Sequence, residues 1–442
     1  MAKKINKIVS KDLDEVKAHY LDYPYPLRNP EDEKTRLLSI LGENLREINH
    51  YLFKGKQTFN NGFRALVAGG GTGDSSTFLA EQLRDKNAEV VYLDFSKNSM
   101  EIAKKRAEIR GLKNITFIND SILNIHNLKL GKFDYINCSG VLHHLASPQE
   151  GLRALQESLK AEGGMHIMVY AKYGRTAIYQ MQDIMKIAND GVTERTEEVK
   201  NAKIILESLP ATNWYKRSED LISDVKNYGD VGIYDLFLHK QDRCYSIPEL
   251  YEFIESADLN FVEFSEILPR LSIRIENFIK NPELLQKIKA MPIKKQHEIA
   301  EIITGNIIKH TFFASNIKDS VAHYELENIP FFFSVGNFAK QICDYIDNNN
   351  VSLGNNINMT INSIWVPSGI NVSLGISAIA KSIFKHMQDE PNTKTFKEIF
   401  DLVRKDIKDE LSDNILIEES KKLLQPLIDS GVLLFRHKSG LA

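Results

Sequence analysis

The run Leu66-Val67-Ala68-Gly69-Gly70-Gly71-Thr72-Gly73 sets an apolar segment directly before a cluster of glycines. Glycines at such a point let the backbone turn tightly and approach a ligand with no Cβ in the way. A helix opening just behind the turn adds free N–H groups and a partial positive charge. Roughly twenty residues on, at the spacing of a ribose-binding acid, stands Asp94. Its carboxylate can accept hydrogen bonds from both ribose hydroxyls, so the chemistry indicated is adenosine binding.

The glycine spacing narrows the ligand. In a dinucleotide fingerprint G-x-G-x-x-G/A, the last position falls on Asp74 when counted from Gly69 and on Ser76 when counted from Gly71. Neither is Gly or Ala, and an acid beside the turn opposes a pyrophosphate. No G-x-x-x-x-G-K-[ST] loop occurs. A phosphate-free adenosyl ligand fits best.

The elements around the turn can be read from periodicity and punctuation. Phe63–Ala68 reads as a strand and Ser75–Arg84 as a helix. Glu89–Asp94 is a second strand, and Ser96 caps a helix through Arg110 that Gly111 closes. Asn114–Asn119 and Lys132–Cys138 are further strands; helix Gln149–Lys160 and turn Glu162-Gly163-Gly164 lead to a fifth, Met165–Tyr170. This alternation predicts a parallel sheet with crossover helices on both faces. Residues 171–240 read as mostly helical, Ser246-Ile247-Pro248-Glu249 as a capped helix start, and Asn260–Glu266 and His310–Ser315 as strands. The Asn-, Ser- and Gly-rich stretch 346–373 reads as loop or linker. Short helices and a small hairpin near Ser430–Arg436 end the chain, as in a winged-helix-like module.

Composition excludes several classes. The 442 residues suggest two or three domains, and a net charge of −3 offers no basic field for nucleic acid. The three cysteines, Cys138, Cys244 and Cys343, are far apart and odd in number, which suits a reducing, cytoplasmic compartment. The start of the chain does not read as a signal peptide, and no run reaches the roughly 18 apolar residues of a membrane helix.

Further segments complete a family pattern. Asn119-Asp120-Ser121-Ile122, Asn137-Cys138-Ser139-Gly140-Val141-Leu142-His143-His144-Leu145 and Ala161-Glu162-Gly163-Gly164 follow in order behind the glycine turn and Asp94. Together they resemble the class I S-adenosylmethionine-dependent methyltransferases, over roughly Lys17 to Ser315. The resemblance implies a Rossmann-like, seven-stranded α/β sheet with a helical cap insertion and a C-terminal α+β module. It implies S-adenosylmethionine as cofactor. Gly69, Gly71 and Gly73 would lie against its methionine part, Asp94 on the ribose, and Phe95 on the adenine. Asp120 would accept from the adenine amino group beside Ser121 and Ile122, and Ser139 and Gly140 would face the transferring methyl. One position departs: the family acid two residues before the first glycine is here Val67. What binds the cofactor's amine is then open, with Asp74 a nearby substitute.

Candidates on the acceptor side follow. His143 and His144, just past the fourth strand, could move a proton or be structural. Val67 in place of the acid also resembles a bacterial branch of the family with an A-G-C-G-T-G turn and a downstream G-V-L-H-H-L motif, and Tyr25, in the run with Tyr20 and Tyr23, resembles a segment that would lie over the cofactor cleft in that branch. His239, Asp242 and Arg243 could bind acceptor or tie the cap to the core. They form no convincing metal set. The expected layout is a lead-in (1–60), a cofactor-binding core (61–170), a cap (171–245), completion of the core (246–317) and an accessory domain (318–442). The acceptor would be a protein side chain or a small O- or N-nucleophile, with a non-catalytic cofactor-binding regulator as the rival. No nucleic-acid or membrane partner is expected, and a homo-oligomer is compatible.

Overall fold

The computed structural model describes residues 25–222, 224–239, 241–333, 338–349, 352–363, 366–389, 392–408 and 410–440. Tyr20 and Tyr23 lie outside them.

Strands β1 (Phe63–Ala68), β2 (Ala88–Asp94), β3 (Ile115–Asn119), β4 (Phe133–Ser139) and β5 (Leu159–Ala171) are parallel. The short β6 (Cys244–Tyr245) pairs with the end of β5, and β7 (Asn260–Phe264) and β8 (Lys309–Ser315) complete the sheet. The seven main strands run β3-β2-β1-β4-β5-β8-β7. β8 is antiparallel to both neighbours, so the sheet is mixed rather than wholly parallel. Strand order reverses between β1 and β4. The crevice outside their carboxyl ends is where an open α/β sheet binds its ligand.

Strand alternation sorts the core onto two faces. Leu66, Ala68, Ile136, Cys138 and Ile167 pack on one face with residues of Ile247–Glu255. Ala65, Val67, Tyr135 and Phe313 pack on the other against Leu45 and Ile48 of helix α1 (Leu45–Leu52). Helix α2 (Asp74–Gln82) follows the glycine turn. Helix α3 (Lys97–Arg110) has the Ser96 cap and the Gly111 stop expected of it. Helix α4 (Pro148–Gln156) ends earlier than expected. The chain enters β5 at Leu159, and the glycine pair at 163–164 lies in an irregular stretch of that strand, where Phe133 pairs with Leu159 but Tyr135 with Gly164.

The segment expected to form the cap contains helices Thr176–Ala188, Arg195–Glu207, Trp214–Ser218 and Asp224–Ile233, which share a buried cluster around Met181, Met185, Tyr215 and Phe237. In the C-terminal module, β9 (Asn328–Phe332) precedes a hairpin of β10 (Asn356–Ser363) and β11 (Val366–Gly375). The segment read as linker is thus largely a hairpin. Its Asn, Ser and Gly content masks alternating apolar residues, Ile357, Met359 and Ile361 on one strand and Ile370, Val372 and Leu374 on the other. The last strand, β12 (Leu433–His437), pairs antiparallel with the distant β9, not with a local partner, so no terminal hairpin forms. The Phe435 N–H donates to His50 Nδ1 at 2.9 Å, which seats β12 on α1.

Candidate active site

β1 delivers the chain to the switch point, and three positive-φ glycines turn it into α2. Gly69, Gly71 and Gly73 have φ of 79°, 50° and 98°. A Cβ on Gly69 would stand 2.3 Å from Cγ2 of Val141, so the turn tolerates no side chain there. The Gly69 N–H donates to Leu93 O at 2.7 Å, and the Tyr92 hydroxyl donates to Gly71 O at 2.6 Å. The turn is thus held open by β2 before any ligand arrives.

Asp94 ends β2 beside the turn. Its Oδ2 accepts from Gly71 N–H at 2.8 Å and its Oδ1 from Ser96 N–H at 2.7 Å. Burial raises its pKa, and these two N–H groups oppose the shift. Phe95 is half-buried next to it. β3 brings Asp120 to the same edge, where its Oδ1 accepts from Ser121 N–H at 2.7 Å and its Oδ2 from Asn124 Nδ2 at 3.0 Å. Ile122 is buried in the sheet core. The ribose and adenine candidates therefore sit together along the β1–β2–β3 edge.

Asp74 is committed elsewhere. Arg28 Nη2 donates to its Oδ2 at 2.7 Å and Arg106 Nη1 to its Oδ1 at 2.6 Å. Burial pushes its pKa up, but the two guanidiniums outweigh that and hold it below the usual value. Arg106, 1% exposed, also binds Glu33 at 2.6 Å and donates to Thr72 O at 2.9 Å. Glu33 pairs with Arg110 as well. With the Thr72 hydroxyl on Pro26 O at 2.7 Å, this network straps residues 26–36 across the glycine turn. Asp74 thus holds the strap, and both its oxygens are used.

The segment expected to face the methyl lies past β4. Ser139 ends the strand, Gly140 turns with φ 75°, and Leu142–His144 form one 3-10 turn. The His143 ring lies 3.9 Å from the Tyr170 ring and 4.2 Å from that of His144. His239 stacks on His144 at 3.9 Å, and the Arg175 guanidinium covers Tyr170 at 3.5 Å. His143 is fully buried, and neither ring nitrogen has a hydrogen-bond partner among the described residues. Burial, then the charges of His144, Arg175 and His239, lower its pKa far below the usual value, so it is neutral. His144 is lowered too, by burial first; its Nδ1 lies 2.8 Å from Gln241 O.

His239 therefore joins the cluster. Asp242 accepts from Arg175 at 3.1 Å and from Gln182 at 3.0 Å. Arg243 is exposed and donates to Ala146 O at 3.0 Å, outside the ring cluster. Tyr25 lies over the turn, its carbonyl 3.0 Å from where a Gly71 Cβ would be, and its ring 5.5 Å from cap residue Tyr228. Among the described residues no group of three His, Cys, Asp or Glu could hold a metal, and no helix is long and apolar enough to cross a membrane.

Sequence reasoning missed Glu43, which is fully buried just before α1. Its Oε1 accepts from Ser75 Oγ at 2.6 Å and from Asn137 Nδ2 at 2.7 Å. Its Oε2 is buried without a partner among the described residues. No local pattern marks it, because its partners are distant in the chain.

Residues 66–165 match the family model described as a methyltransferase domain. An uncharacterised protein of Synechococcus sp. is 32% identical over 252 residues, covering 57% of this chain and 59% of that protein. The chain thus spans about three fifths of the length of that curated relative. The ubiquinone biosynthesis O-methyltransferase of Vibrio campbellii is 24% identical over 199 residues, covering 43% of this chain and 81% of that enzyme. PKMT2 from Rickettsia typhi, in complex with AdoHcy, has the same fold with a TM-score of 0.59 at 19% identity, covering 87% of this chain and 74% of that one. Glycine turn, strand order and the match over residues 66–165 converge on a methyltransferase domain in this part of the chain, with S-adenosylmethionine as the cofactor that the match indicates.

Proposed function

We propose that the chain transfers a methyl group from S-adenosylmethionine to a protein side chain. Gly69, Gly71 and Gly73 turn the chain at positive φ, with Val141, Tyr25 O and Ala103 packed close against them, and Asp94 and Asp120 stand at the neighbouring strand ends. This arrangement supports the cofactor reading. When bound, S-adenosylmethionine supplies an electrophilic methyl on a cationic sulfur, so the protein's main task is alignment. Holding a nucleophile in line can supply several kcal/mol of barrier reduction, on the order of 7–11 in the best cases.

The observation that carries catalysis is His143. It is neutral, buried, and has two unpartnered ring nitrogens just past β4. Such an imidazole accepts the hydrogen of an amine or hydroxyl and orients its lone pair toward the methyl. Having a low pKa, it acts as a hydrogen-bond acceptor that orients the nucleophile, and the proton lost on methylation leaves to bulk solvent with the product. The His144 ring lies tilted beside it, and His239 stacks on His144.

The protein acceptor is favoured by layout. A four-helix cap and a docked C-terminal module exceed what a small ligand needs, and the fold shared with PKMT2 extends over 87% of the chain. A second reading, a small-molecule O- or N-methyltransferase, draws on the likeness to the ubiquinone biosynthesis O-methyltransferase. Cell extract incubated with the protein and methyl-labelled cofactor separates them. Label in protein bands supports the proposal and label in the small-molecule fraction the second reading. No incorporation would favour a non-catalytic regulator.

A further inference from the structure

The cofactor's methionyl arm carries an ammonium as well as a carboxylate. A cation moved from water into a cleft needs an anionic partner. Val67, the position that would supply one by family pattern, is apolar and 1% exposed. Of the carboxylates at the turn, Asp74 is taken by Arg28 and Arg106, and Glu33 by Arg106 and Arg110. Asp94, held by the Gly71 and Ser96 N–H groups, is assigned to the ribose by the cofactor reading. Glu43 alone among these four has a buried oxygen without a partner among the described residues.

We propose that the Glu43 carboxylate receives the α-ammonium of the cofactor's methionyl arm, taking the place left open at Val67. The inference rests on the cofactor reading above. Ser75, one partner of Glu43, lies two residues past Gly73 in the first turn of α2. Asn137, the other, is the β4 residue paired with Val67 of β1, and its amide is 3.3 Å from the Ser139 hydroxyl. The carboxyl therefore bridges the start of α2 and the end of β4, on either side of the switch point. Gln82 fixes it there: Gln82 Nε2 donates to Glu43 O at 3.0 Å and Gln82 Oε1 accepts from Leu45 N–H at 3.0 Å. Burial pushes the Glu43 pKa up to about 8, with Asp74 and Glu47 acting in the same direction and Ser75 and Asn137 opposing. Alone, the group keeps a proton; an ammonium would replace it.

Calorimetric titration with two ligands tests this. S-adenosylhomocysteine has the amino-acid arm, and 5′-methylthioadenosine lacks it. Glu43→Gln is expected to weaken S-adenosylhomocysteine binding roughly tenfold to a hundredfold and leave methylthioadenosine unchanged. Unchanged affinity for S-adenosylhomocysteine, or an equal loss for both ligands, overturns the proposal. Wild-type protein gives a second reading that needs no variant. Titrations at pH 7 in buffers of different ionisation enthalpy should show roughly one proton released by S-adenosylhomocysteine and none by methylthioadenosine. The groups facing Glu43 are Glu47 of α1, Asp74 of α2, Tyr135 of β4 and, through Asn137, His166 of β5. Equal proton counts overturn the proposal. Wild-type protein that binds neither ligand overturns instead the cofactor reading beneath it.

Discussion

The carboxylate of Asp94 accepts the backbone N–H of Gly71 at 2.8 Å, joining the end of β2 to the turn that ends β1. Ser96 N–H holds the other oxygen. The carboxylate is thereby fixed before ligand arrives, and its remaining lone pairs are available to ribose hydroxyls. Preorganisation of this kind lowers the cost of binding.

The turn depends on bare glycine. Gly69→Ala forces a Cβ within 2.3 Å of Val141 at a φ of 79°. We expect a loss of about 1–3 kcal/mol in stability and a fall in affinity for S-adenosylhomocysteine. Thermal melts and calorimetry read the two effects separately.

Removing Arg106 takes one of two guanidiniums from each of two carboxylates, leaving Glu33 with Arg110 and Asp74 with Arg28. Glu33 and Asp74 both depend on it, and its side chain is 2% exposed. Breaking a buried pair from one side costs about 3–5 kcal/mol. Arg106→Leu should lower the denaturation midpoint accordingly, and proteolysis near residues 26–36 should quicken as the strap loosens.

Stability should fall as pH rises through the neutral range. Burial raises the folded pKa of Glu43 to about 8 and of Glu47 to about 7. Both exceed an unfolded glutamate, near about 4.3. Between those values the folded chain holds protons that the unfolded chain has lost, so stability declines with pH. The slope reaches at most about 1.4 kcal/mol per pH unit per group and flattens above the folded pKa. Asp74 acts oppositely: its lowered pKa supports the fold above the unfolded value and is lost as acid protonates it. Denaturation between pH 5 and 9 measures the decline, and Glu43→Gln should make it shallower.

His143→Ala should lower kcat roughly a hundredfold to ten-thousandfold while leaving S-adenosylhomocysteine affinity intact. Steady-state kinetics beside calorimetry distinguishes this from a packing defect, which would move both. Loss of kcat by less than a few-fold would remove His143 from the chemistry.

What the chain order reveals is uneven, for physical reasons. β1, β2 and α3 are legible because caps, glycines and apolar runs are local signals: Ser96 and Gly111 bound α3 in sequence as they do in space. The adenosine site follows from that regularity. Glu43 was invisible because its burial depends on Ser75 and Asn137, far along the chain. Asp74 suggested a ligand contact because Arg28 and Arg106 cannot be seen from sequence to converge on it. The β9–β12 pairing spans the whole C-terminal module, and in the β10–β11 hairpin the abundant Asn, Ser and Gly mask a period-two alternation of Ile357, Met359, Ile361 and Ile370, Val372, Leu374 that is there to be read.

The central claim is that Asp94 and the glycine turn hold S-adenosylmethionine. Calorimetric titration of S-adenosylhomocysteine into wild-type and Asp94→Ala protein tests it most directly. The account predicts one saturable site in the wild type and binding weakened roughly a hundredfold or more in the variant, with the fold retained. Equal affinity in the two proteins would contradict it.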